Sequence, residues 1–226
     1  SKYRAVPGLY GWAAMAGKWL EVWREEDGSL TFDFSQLDQW LEIQQRYGNL
    51  WNPNGSCNSG WFSIFHSKNL WNVVKDRATG KVLTLEDLPQ KSEINPKYTL
   101  IYEEFMRTYV DHLRDRGWLD SGWHEKWDEP TGDRVEMCKE HHAYLQKIVP
   151  ELNLFNWGMR PVTDDWGWGF VHAWAPNLGA WYREYPGIER ARREGVKVMV
   201  YTCGTSLPDL WPTVRVPDIN AYDPNV

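Results

Sequence analysis

Apolar and polar positions along the chain alternate most regularly from Pro96 onward. Tyr98, Ile101, Tyr102, Phe105, Met106, Tyr109, Val110 and Leu113 recur at i, i+3, i+4 spacing, with Asp111, Arg114 and Asp115 outside the stripe and Gly117 at the expected stop. This predicts a long amphipathic helix. An earlier stripe of Leu37, Trp40, Leu41 and Tyr47 follows a Ser35 N-cap with Asp38 three residues on, and predicts a shorter helix stopped by Gly48. Between them, Trp51 to Ser59 is rich in Asn, Pro, Gly and Ser and reads as a loop. Trp61 to His66 has the aromatic and β-branched character of a strand, and Lys68 to Asn95 reads as a charged excursion, a small hairpin or an extended insertion.

After Gly117 the pattern switches repeatedly between periods. It predicts a strand at about Trp123 to Trp127, a helix from Arg134 to Val149 ended by Pro150, and a strand at Leu152 to Trp157. A loop containing Asp164, Asp165, Trp166, Gly167 and Trp168 leads to a strand through Phe170 to Trp174. Helical sequence then runs to Arg193 with a break expected near Pro186-Gly187, and Val196 to Tyr201 reads as a buried strand. Alternating strands and helices argue for βαβ units and a parallel sheet. Six strands are recognisable if a poor one at Leu9 to Met15 is admitted, two short of a closed eight-stranded barrel. An open doubly wound sheet also fits the alternation, but it usually carries a glycine-rich phosphate turn, and neither G-x-G-x-x-G nor G-x-x-x-x-G-K occurs. The expected architecture is α/β: a single domain over residues 1–226, a (β/α)8-type barrel that is incomplete in this chain, either truncated or continuing beyond Val226.

Composition adds a surface to that frame. The chain has 16 tryptophans, 11 tyrosines and 7 phenylalanines, yet its mean hydropathy is −0.62. Aromatic wealth without greasiness points to a wet, aromatic-lined surface, and indole faces suit pyranose rings, whose axial C–H groups pack on a π-system while their hydroxyls find polar partners. Core filling accounts for many of these tryptophans as well. The charge is −6, with 25 basic residues scattered among 31 acids, which disfavours nucleic acid as a partner. No apolar run approaches the ~20 residues needed to span a bilayer. Cys57, Cys138 and Cys203 lack metal-type spacing and allow at most one internal disulfide plus a free thiol. The start at Ser1-Lys2-Tyr3, without initiator methionine or signal peptide, reads as a processed or excised piece, and the Asn54-Gly55-Ser56 sequon leans toward secretion.

In a parallel barrel, reactive side chains lie where strands end and loops begin. The predicted strands end at His66, at Asp128-Glu129-Pro130, at Trp157, at Trp174 and at Tyr201-Thr202-Cys203, so carboxylates, histidine and aromatics fall on one rim. Cleaving a glycosidic bond needs an acid for the leaving oxygen and a group that stabilises the cationic anomeric centre, and adjacent carboxylates split these roles when their environments push their pKa values apart. Asp128 and Glu129 are therefore the candidate catalysts. The same pair also reads as helix-start acids favoured by the macrodipole.

These residues resemble a known family. Trp118-Leu119-Asp120 followed by Trp127-Asp128-Glu129-Pro130, behind a helix ending Leu113-Arg114-Asp115-Arg116-Gly117, is similar to the segment of glycoside hydrolase family 123 in which a helix, a Gly-Trp-Leu turn and a strand deliver an Asp-Glu-Pro motif. Asp33 to Asp38 with Tyr47-Gly48 is similar to the family's early helix, and Val200 to Gly204 to its late strand ending in Tyr-Thr-Cys. The resemblance implies a secreted β-N-acetylhexosaminidase, with N-acetylgalactosamine favoured, using substrate-assisted chemistry and neither metal nor organic cofactor. Glu129 is then the general acid/base, and Asp128 orients and polarises the substrate's 2-acetamido group.

The remaining candidates are binding residues. Trp166, Trp168 and Trp174 are the expected stacking platforms, because glycine neighbours or a strand end leave an indole face open, and Tyr201 stands on the same rim. His66 and His172 are placed to meet sugar hydroxyls, or to be satisfied structural residues. His141-His142 reads as solvated or core-capping, since a metal would need a distant third ligand. Asp164-Asp165 offers a second carboxylate for a mechanism without substrate assistance, and Cys203 has no adjacent base and reads as structural. The rival reading of the chain is a non-catalytic carbohydrate-binding or structural protein that keeps the barrel and its aromatic surface.

Overall fold

A computed structural model describes residues 21–46, 60–63, 74–83, 87, 91–125, 130, 132–157, 171–176 and 178–198. The first element is one the hydrophobic pattern does not announce. Strands β1 (Glu21–Arg24) and β2 (Leu30–Asp33) form an antiparallel hairpin in the register Glu21↔Asp33 to Arg24↔Leu30. The signal for it is the Asp27-Gly28 pair: the Asp27 carboxylate accepts from the Ser29 backbone N–H at 2.9 Å and its hydroxyl at 2.6 Å, closing the turn.

Helix α1 (Ser35–Arg46) follows at once. The Phe34 carbonyl accepts the first helical N–H, from Asp38 at 2.8 Å, and the Asp33 carboxylate takes the Ser35 N–H at 2.8 Å. The cap therefore sits one residue before the expected Ser35, and the hydrogen bonds from Ser35, its backbone N–H foremost, hold the Asp33 carboxyl below its ordinary range. Leu37 and Leu41 are buried as expected, while the predicted Gly48 stop lies outside the described residues.

Strand β3 (Gly60–Ser63) realises the first half of the predicted Trp61–His66 strand. Within the charged excursion, β4 (Val74–Asp76) pairs in parallel with β1, Val22↔Val74, and turns back so that Lys75 bridges Val82 antiparallel. The expected small hairpin is there, fused to a sheet ordered β2-β1-β4. Val22 and Val74 face the core, Arg24 pairs with Asp76 at 3.0 Å farther along that same face, and on the opposite face Lys75 and Arg77 sit over the Trp23 ring.

Helix α2 (Leu100–Asp115) is the predicted stripe made real, with Ile101, Tyr102, Phe105, Met106, Tyr109, Val110 and Leu113 buried. Thr99 caps it, its side chain accepting from the Tyr102 N–H at 3.3 Å. At the far end Gly117 takes φ +69°, Trp118 N–H donates to the Leu113 carbonyl at 2.8 Å and Gly117 N–H to that of Arg114 at 2.9 Å. That is a Schellman motif, which needs a residue free to adopt positive φ at Gly117.

A 3-10 turn at Leu119–Ser121 delivers β5 (Gly122–Glu125), which pairs in parallel with β3, Trp61↔Trp123. Helix α3 (Asp133–Ile148) then returns the chain to β6 (Phe155–Trp157), which lies alongside β5. Strand β7 (Ala173–Ala175) pairs in parallel with β6, and β8 (Lys197–Val198) with β7.

Of the expected strand at Phe170–Trp174, the regular ladder with β6 starts at Ala173, and just before it Leu154 N–H donates at 3.0 Å to the His172 ring. Helix α4 (Leu178–Arg193), between β7 and β8, corrects the expected break: it runs through Pro186. Pro186 is exposed while Ile188 and Ala191 are buried, so the missing N–H and the ring fall on the solvent side, where the ladder yields most easily. The end of α4 repeats that of α2: Gly195 has φ +88°, Val196 N–H donates to the Ala191 carbonyl at 3.0 Å and Gly195 N–H to that of Arg192 at 3.1 Å.

Candidate active site

Because β3 and β5, and β6, β7 and β8, pair in parallel, their C-terminal ends share an edge within each sheet: Ser63 beside Glu125, and Trp157 beside Ala175. β5 lies next to β6, and β6, β7 and β8 are neighbours in chain order, whereas β3 meets β5 and β4 pairs away from them with β1. By chain connection, the predicted rim residues come directly after those ends. His66 follows β3, Asp128 and Glu129 follow β5, Trp166 and Trp168 stand in the connection after β6, and Tyr201 follows β8. All six lie outside the described residues, as do Asp164, Asp165, Cys57 and Cys203. Pro130, which closes the Asp-Glu-Pro motif, is buried.

Two predicted binding residues are described, and both are placed away from that rim. His172 precedes β7, at the strand's entry end. Its Nδ1 accepts the Leu154 N–H, its own N–H donates to the Leu154 carbonyl at 2.8 Å, and its carbonyl accepts from Lys197 N–H at 3.0 Å. One residue thus ties β6, β7 and β8 together at their start. Burial pushes the His172 pKa down, which keeps the ring neutral and Nδ1 able to accept. Trp174 is 1% exposed and packs with Ile188, Ala191 and Val196. Its cross-strand partner is Asn156, so both side chains leave the sheet on the same face, the one covered by helices. The open indole face expected of Trp174 is occupied by α4.

That helix-covered face carries a polar group that sequence reasoning missed. Asn156, in the middle of β6, is 0% exposed, where a fully buried parallel strand ordinarily places Val, Ile or Leu. Its Oδ1 accepts from Cys138 Sγ at 3.8 Å, and Cys138 Sγ lies 3.8 Å from His142 Nε2. Cys138 and His142 stand one turn apart on α3, and both are buried. His141, on the neighbouring face of α3, meets the Tyr102 hydroxyl at 2.9 Å. The His141-His142 pair is therefore interior, and the solvated alternative is ruled out. The readable signal was Cys138, His142 and Leu145 at i, i+4, i+7, one stripe with two polar members.

A second polar cluster sits where α2 begins. The Glu103 carboxylate accepts from Ser92 Oγ at 2.7 Å, from the Arg107 guanidinium at 3.0 Å and from the Tyr144 hydroxyl at 3.3 Å. Burial is the largest single influence on Glu103 and acts upward, but those donors together outweigh it and its pKa is lowered. Burial also pushes the Tyr144 phenol up to about 12, and Tyr144 stacks on Tyr98 with ring centres 4.3 Å apart. Among the described residues, no group of three or more His, Cys, Asp or Glu side chains is arranged to hold a metal, and no helix is long and apolar enough to cross a membrane.

The described strands pair mostly in parallel and alternate with helices along the chain, and the candidate carboxylates follow β5 in sequence. The family model described as glycoside hydrolase 123, catalytic domain, matches residues 10–212. The chain belongs to glycoside hydrolase family 123. A solved family 123 glycoside hydrolase from Clostridium perfringens, studied for glycolipid glycan hydrolysis, shares the fold with a TM-score of 0.56 at 16% identity, over 84% of this chain and 32% of that one. The chain thus spans about a third of that structure's length. A comparison with curated proteins finds no match.

Proposed function

We propose that the chain hydrolyses terminal β-linked N-acetylhexosamine, N-acetylgalactosamine foremost, with retention at the anomeric carbon. The family match over residues 10–212, which takes in Asp128-Glu129-Pro130, carries the reading. Glu129 protonates the glycosidic oxygen as the bond breaks and later deprotonates the incoming water. Asp128 holds and polarises the 2-acetamido group, whose carbonyl oxygen attacks the anomeric carbon to give an oxazolinium. Because the nucleophile belongs to the sugar, no enzyme carboxylate is needed on the opposite face at the ~5 Å separation of conventional retaining enzymes, and two adjacent acids suffice. The step calls for neither metal nor organic cofactor.

The proposal includes a (β/α)8-type barrel, incomplete within this chain. The consecutive parallel order β6-β7-β8, with β5 alongside β6, supports it, because a doubly wound sheet reverses its order at a switch point. Trp166, Trp168, Tyr201 and His66 follow strand ends and form the sugar-binding set of the proposal. Glycolipid glycans, the subject of the Clostridium perfringens structure, are the complex substrates to try first, and an exported protein would meet them.

The test is aryl release from 4-nitrophenyl β-N-acetylgalactosaminide and β-N-acetylglucosaminide by the chain and by Glu129→Gln. The substitution should lower kcat by about 10²–10⁴. Activity that survives it removes Glu129 from the mechanism. Sugar binding by calorimetry without cleavage of either glycoside establishes the non-catalytic binding protein instead.

A further inference from the structure

We propose that the buried cluster of Cys138, His142 and Asn156 is a positioning device that fixes α3 against β6 and so sets the placement of Asp128 and Glu129; this rests on the catalytic reading of that pair. Asn156 Nδ2 is buried and has no hydrogen-bond partner among the described residues, and its Oδ1 accepts from the Cys138 sulfur at 3.8 Å. A leucine would fill this strand position without that desolvation penalty. An apolar contact between helix and sheet slides at little cost, whereas Cys138 donating to Asn156, with His142 beside the same sulfur, specifies one register of α3 along β6.

The location gives that register a purpose. Glu129 is separated from the first residue of α3 only by Pro130, Thr131 and Gly132, and Cys138 stands in the helix's second turn. At its other end the same connection leaves β5, the strand alongside β6. Asn156 thus tethers one anchor of the Asp128-Glu129 connection from the strand next to its other anchor. His141 fixes the adjoining face of α3 to α2 through the Tyr102 hydroxyl, so α3 is held by polar contacts on two sides. A shift of ~1 Å in catalytic groups costs on the order of 10²-fold in rate, which makes such a tether worth its instability.

The experiment compares Asn156→Leu, Cys138→Val and Cys138→Ser with the full chain and Glu129→Gln, using 4-nitrophenyl β-N-acetylgalactosaminide. Asn156→Leu and Cys138→Val should lower kcat about tenfold or more with KM within about twofold. Both should also displace the acid limb of the kcat/KM profile, because altered spacing changes how strongly the two carboxylates influence each other. Cys138→Ser, which keeps a donor, should recover part of what Cys138→Val loses. Thermal unfolding reports whether each variant is folded; if Asn156→Leu does not fold, the valine and serine variants decide. Folded variants with wild-type kcat and pH profile, beside an inactive Glu129→Gln, overturn the positioning role and leave the catalytic reading intact. An inactive wild type, or an active Glu129→Gln, overturns both.

Discussion

Helices α2 and α4 end in the same way but their described residues pack into different clusters. Each closes in a Schellman motif with a positive-φ glycine, Gly117 or Gly195, followed by an apolar residue, Trp118 or Val196, bonded back to the helix. Their interiors diverge. The α2 stripe sits in a broad core with Val22, Phe34, Leu41, Val74, Tyr144 and Leu152, and Phe105 lies among the rings of Phe32, Phe34 and Tyr109. Among the described residues, the cluster beside α4 comprises Trp174, Ile188, Ala191 and Val196, with Val198 packed against it. A helix terminus is thus written locally in a few residues, whereas what anchors the helix is a property of the layers it meets. The helix that carries a proline points it away from the buried residues Ile188 and Ala191.

The largest test of that contrast is Phe105→Ala, which should cost about 3–5 kcal/mol in chemical denaturation. A loss under about 1 kcal/mol would mean that the α2 core is not what holds this part of the chain together. Next, Pro186→Ala should raise stability by about 1–3 kcal/mol, because it restores a helical donor on an exposed face; a lower melting temperature would show that the proline shapes the packing of α4. Thr99→Ala should cost about 1 kcal/mol and fray the start of α2, visible as faster amide exchange there.

The smallest effect is acid-linked. His172 has a pKa below its ordinary value of 6.5 through burial. Below about pH 6.5 the unfolded chain therefore takes up the proton before the folded one does, and stability falls on acidification and is complete above that pH. Unfolding free energies of the wild type and His172→Gln at pH 7 and pH 5 check this, since the glutamine variant should lose that part of the slope. An unchanged slope would show that His172 does not contribute to it.

What the sequence reveals follows the range of the forces involved. The α2 stripe, its Gly117 stop and the start of α3 were readable because helical periodicity and capping are local. The β1–β2 hairpin was signalled by Asp27-Gly28 but too short to stand out as alternation, and its partnership with β4 joins residues far apart in the chain. Pro186 misled because local propensity sees the missing N–H and cannot see which side of the helix faces water. Trp174 was misplaced for a related reason. Strand-end position was read from the chain, while the face on which a side chain leaves the sheet depends on register, and Trp174↔Asn156 puts it under α4. The family was legible through the Asp-Glu-Pro motif and its neighbours, and the family model's match over residues 10–212 bears out that resemblance. Asn156 was not, because nothing adjacent in sequence distinguishes a buried strand asparagine from an exposed one.

The sheet β2-β1-β4 also orders events in time. Its hairpin closes across five residues, a step that isolated hairpins complete in roughly 1–10 μs. Its parallel partner must arrive from 52 positions away, as the Arg24–Asp76 pair records, and closing so long a loop costs entropy before any contact repays it. The sheet therefore assembles in two stages. The early one is decided by a turn, and the late one must wait until the chain between α1 and β4 has found its course.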